Sequence, residues 1–164
     1  MNQQDYLMTF AQIAGVLVGF ANLATVLDSS KIDEAQWSKS KERILIITEG
    51  GLTMIGACFL PSLIYFFVQN DGQSFRIASS IELLVYIISS LFIAYRYEKR
   101  AGKYDLIQKM IASFCVVFGW TPLAIAAFAS LTSNQVIAVY SLAIFQMFIV
   151  ISIVFVMLFR SIVK

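Results

Sequence analysis

The strongest constraint on this chain is a series of five apolar runs, each close to the roughly 20 residues an α-helix needs to cross a bilayer. They cover residues 6–27, 44–67, 77–95, 110–130 and 136–159. Hydrophobic residues make up 59% of the chain and charged residues 13%, about half the charged share of an average soluble domain. A water-soluble fold has no use for that much apolar surface, whereas lipid covers whatever neighbouring helices leave bare. The expected fold is therefore all-α, a polytopic transmembrane bundle forming one domain over residues 1–164, with five spans and four as the alternative. The weakest boundary is 131–135, where Ser133, Asn134 and Gln135 read as a tight polar turn. No Lys or Arg precedes Lys31, so the first run lacks the charged leader of a secretory signal and reads as a retained span.

Orientation follows from positive charge, which cytoplasmic loops retain. Linker 28–43 holds Lys31, Lys39, Lys41 and Arg43; linker 96–109 holds Arg96, Lys99, Arg100, Lys103 and Lys109; the tail adds Arg160 and Lys164. Only Arg76 falls on the opposite side of a five-span arrangement, and four spans break the alternation. The N-terminus is expected outside and the C-terminus in the cytoplasm of a cell inner or plasma membrane. Ser30 and Asp33 have capping-box spacing, and no Pro or Gly follows before Gly50. The second helix should thus begin within the linker, with Trp37 near the interface.

The residue inventory excludes much chemistry. There is no histidine and there are two cysteines, Cys58 and Cys115, in separate apolar runs. Zinc sites of Cys and His type, Ser-His-Asp units and Cys-His units cannot be assembled. Both cysteines read as small buried hydrophobes, not as a disulfide. No phosphate-cradling glycine loop or catalytic carboxylate pair stands out, so neither an enzyme nor a bound metal or cofactor is expected. The net charge of +2 is too small to suggest nucleic acid.

Polar residues inside spans are the candidate functional groups, because they are expensive there. Glu49 is expected near the cytoplasmic end of the second span and Glu82 near the external end of the third. Either could line an aqueous path favouring cations, or simply meet a basic neighbour. Ser79, Glu82, Tyr86 and Ser89 recur at helical spacing, as do Glu49, Thr53 and Gly56. In the first span Gln12, Gly15, Gly19 and Asn22 share a face, and Gly15 with Gly19 forms a GxxxG pair suited to close helix packing within or between subunits. Pro122 should kink the fourth span by disturbing the bond to the Phe118 carbonyl, with Thr121 helping to satisfy the loosened backbone, and Pro61 poses the same question in the second. Gln146, central in the last span, is expected to find a partner on a neighbouring helix.

Five short-looped spans show none of the two-fold internal relation of many secondary transporters. Two readings remain. One is a homo-oligomeric pore or ion channel with cation preference. The other is a non-catalytic membrane anchor, sensor or accessory subunit that engages a cytoplasmic protein through the basic linkers.

Overall fold

The computed structural model describes residues 3–28, 34–100 and 106–162, which form five α-helices and no strand. They are α1 (Gln3–Asp28), α2 (Glu34–Val68), α3 (Asp71–Arg100), α4 (Leu106–Phe128) and α5 (Ser133–Ile162). Four of them carry stretches long and apolar enough to cross a membrane, namely Asp5–Leu23, Ile44–Val68, Asp71–Phe92 and Ser133–Val156. In α4 the described apolar stretch is the shorter Val117–Phe128, although the helix itself has 23 residues. The cap expected at Ser30 and Asp33, the side chains of Trp37 and Cys115, and the basic side chains of linkers 28–43 and 96–109 lie outside the described residues.

Helix ends are set by local hydrogen bonding. The Asn70 carboxamide oxygen accepts the Gln73 amide at 3.0 Å, a side-chain N-cap that starts α3 at Asp71. Helix therefore includes Gln73, Ser74 and Arg76, which precede the expected span 77–95. Only Gln69 and Asn70 separate α2 from α3, and Gln69 makes the turn with φ of 51°. At α5 the Gln135 side chain reaches back to the Thr132 amide at 2.9 Å, the returning half of a capping box. Ser133 to Gln135 are thus the first turn of α5, and the break lies at 129–132. α2 begins ten residues ahead of Ile44, inside the basic linker.

The chain forms two compact units, Met1–Phe59 with Met147–Lys164, and Leu60–Gln146. In the first, α1, the leading part of α2 and the trailing part of α5 pack through small contacts. A Cβ on Gly51 would collide with the Val18 side chain, and one on Gly50 would lie 3.4 Å from Ile151. The Phe10 and Phe148 rings sit 5.8 Å apart. In the second unit the Phe75 and Tyr140 rings meet edge to face at 5.4 Å, a preferred aromatic arrangement. Two contacts join the α2–α3 turn to the α4–α5 turn at one end of this unit. Gly72 admits Ser133 so closely that a Cβ would lie 3.2 Å from the Ser133 Cα, and an Arg76 guanidinium nitrogen donates to the Leu131 carbonyl at 2.6 Å.

Large apolar side chains outside these cores face outward. Phe66, Phe67 and Phe128 are 78%, 90% and 76% exposed, and at most 28% of the most apolar part of each of the four stretches is buried. Such continuous apolar surface is what water excludes and lipid accepts.

Candidate functional site

The polar side chains divide into two sets, one in each unit. In the first unit α1 turns Leu7, Ala11, Ala14 and Ala21 inward. Gln12, Gly15, Gly19 and Asn22 occupy the adjoining face and are all exposed. Gly19 has open space where a side chain would stand, and a Cβ on Gly15 would come no nearer than 3.9 Å to Ile55. Within the described residues the GxxxG pair is therefore not the point of close approach. That point is Gly51, against Val18 and the Ala14 carbonyl. Ala14 and Val18 have the same spacing as the two glycines but sit on the inward face, and α2 supplies the missing side chain.

On α2, Ile47, Met54, Ala57 and Cys58 turn inward. Glu49 and Thr53 are half-buried and Gly56 is exposed, with nothing within 4 Å of its would-be Cβ. Glu49 is five residues into the Ile44–Val68 stretch, near the end of the span, as expected from sequence. Two polar groups of this unit bond within their own helices. The Thr53 hydroxyl donates to the Glu49 carbonyl at 2.9 Å and the Asn22 amide to the Val18 carbonyl at 2.9 Å.

In the second unit the α3 stripe faces the core. Ser79 and Glu82 are buried, as is Phe75, while Tyr86 and Ser89 are half-buried. The Ser79 hydroxyl donates to the Phe75 carbonyl at 2.7 Å. Glu82 is 4% exposed, and its Oε2 is buried without a hydrogen-bond partner among the described residues. It stands eleven residues beyond Asp71, about 17 Å along the axis, at the middle of the Asp71–Phe92 stretch. The sequence suggested a position nearer the external end. The capped polar turn starts the helix at Asp71, six residues ahead of the expected span 77–95. Arg76 is engaged with Leu131.

Tyr86 occupies the space that Gly119 leaves open on α4. A Cβ there would lie 2.6 Å from the hydroxyl oxygen and 2.8 Å from the ring. A glycine facing an aromatic on a neighbouring helix was the available sequence signal for this contact, but nothing in one sequence pairs the two. Next to it, Trp120 has its indole N–H buried without a partner, and the Gln146 carbonyl oxygen on α5 is likewise unpartnered among the described residues. The partner expected for that oxygen is thus not supplied by them; Ala143, Ile144 and Met147, its near neighbours on the helix, are apolar and buried. Pro122 is buried within an α4 that runs unbroken to Phe128. The Thr121 hydroxyl goes to the Val117 carbonyl at 2.8 Å, one residue before the carbonyl that the proline leaves. Cys58 is a buried free thiol. No family model, curated protein or solved structure matches the chain.

Proposed function

We propose that the protein is a five-span, homo-oligomeric pore with cation preference in a cell inner or plasma membrane, its N-terminus outside and its C-terminus in the cytoplasm. The observation that carries this reading is the exposed polar face of the first unit. Gln12, Gly15, Gly19 and Asn22 on α1, with Gly56 on α2, lie outward on helices apolar enough to cross a membrane. A carboxamide such as that of Gln12, exposed on this face, costs several kcal/mol when it meets hydrocarbon alone, which favours cover by a second copy or a water-filled path. Small residues favour the copy at Gly15 and Gly19, and Glu49 with Thr53 supplies the acid and hydroxyl of a cation path. Glu82 faces its own unit and is left out of the pore wall. Five spans are supported by the two turns that meet at one end of the second unit, since α4 must then run back along α3 to reach it.

The test is recording from purified protein in planar bilayers. The expected result is a cation-preferring conductance whose reversal potential shifts in Glu49→Gln, most at low salt where acids are least screened, and stays put in Glu82→Gln. Silence across voltage, pH and divalent conditions would overturn the pore. It would leave the anchor reading, for which the specific support is that α2 and α3 extend beyond their apolar stretches, from Glu34 and to Arg100, as basic helical projections for a cytoplasmic partner.

A further inference from the structure

An open groove of about 700 Å³ runs between α3 and α4. Leu83 and Ile87 form one wall; Val117, Ala124, Ile125 and Phe128 belong to the other. From Val117 to Phe128 the α4 wall is twelve residues long, about 18 Å. The hydrocarbon core is roughly 30 Å thick, so this length is close to the depth of one leaflet. One end of the groove is chemically marked. Arg76 lies seven residues before Leu83, on the same stripe of α3, and its guanidinium reaches Leu131, three residues past Phe128, the last groove residue of α4. That bond uses one of five N–H donors, in a fork whose geometry suits a phosphate.

We propose that this groove is a phospholipid site, in which one acyl chain lies along the α3–α4 walls and Arg76 binds the phosphate of an anionic headgroup. The apolar length fixes the chain and the cation fixes the headgroup at the interface. A lipid merely bordering the protein would meet the walls without that charge. The site requires the membrane and is independent of conduction, so failure of the pore would leave it standing.

The test uses the full chain, purified and delipidated in detergent, with phosphatidylglycerol and phosphatidylcholine of identical acyl chains as probes. Native mass spectrometry counts bound lipid and thermal unfolding reads its effect. Both lipids carry the phosphate, but phosphatidylglycerol should bind at least about tenfold more tightly than phosphatidylcholine, because the choline cation of the latter offsets the phosphate charge and is repelled by Arg76. Arg76→Gln should abolish the preference while retaining both lipids at the weaker level, a ratio that loss of the Leu131 bond alone would not change. Ala124→Trp should fill the groove and lose both lipids, while Leu84→Trp, at an exposed position of α3 outside the groove, should keep both. Equal affinity for the two lipids in the wild type, or a preference surviving in Arg76→Gln, would overturn the proposal. So would unchanged lipid binding in Ala124→Trp; if that variant also broke an oligomer, the groove would belong to a second copy.

Discussion

Replacing Gly51 with alanine tests where α1 and α2 come closest. The new methyl would overlap the Val18 side chain. Valine in a helix is held about 90% in one χ1 rotamer, so it cannot swing aside, and the helices must separate slightly. The Val18 Cβ and the Ala14 carbonyl, at 3.8 and 3.7 Å, are ordinary neighbours; the strain is one methyl overlap, worth about 1–3 kcal/mol for an overpacked site. Val18→Ala alone should cost about 1 kcal/mol or less, because the side chain is half-buried and lipid tails replace much of its apolar environment. In the double variant the added methyl faces only the retained Cβ, so it should be about as stable as Val18→Ala. The coupling energy is then about 1–3 kcal/mol, within the range for contacting residues. The four proteins would be compared by unfolding titration in mixed micelles of fixed lipid content, with Gly15→Ala as a near-neutral control. Additive effects of the two substitutions would refute the crossing.

Gly19→Leu should leave the unfolding of a single chain within about 0.5 kcal/mol of wild type, as for a surface site, because nothing lies within 4 Å of it, yet reduce the oligomer seen by light scattering in nanodiscs. An unchanged oligomer would remove this face from the subunit contact. Gln69→Gly should stabilise the chain by up to about 1 kcal/mol, since a left-handed residue is costly for any side chain and this one is exposed with φ of 51°; thermal unfolding that is unchanged or lowered would contradict it. Gln146→Leu, which removes the buried unpartnered oxygen, should be neutral or stabilising by about 1 kcal/mol in the same assay, whereas marked destabilisation would reveal a partner for the amide.

The helices were legible in sequence because apolar runs of span length admit few other folds. Their ends were less so. Hydropathy stops at Ile77 since Asp71, Gln73, Ser74 and Arg76 are polar, but the Asn70 cap decides where α3 starts. The Thr132–Gln135 capping spacing was equally readable and was masked by the expectation of a turn. Periodicity grouped Ser79, Glu82 and Tyr86 correctly on one face, yet a period says nothing about which of two polar faces turns inward. On α3 the polar face is buried, and on α1 it is exposed. Gly51 and Gly119 escaped notice because their partners, Val18 and Tyr86, lie more than thirty residues away in sequence.

The two residues between α2 and α3 also bear on motion. Fully extended, the three Cα steps from Val68 to Asp71 reach about 10–11 Å, little more than the usual 8–10 Å between packed helix axes. A piston-like slide of one turn, about 5.4 Å, would take up nearly the whole of that reach. Sliding of α3 along the adjoining end of α2 is therefore restrained by the connection, whereas tilt and rotation of α3 are not.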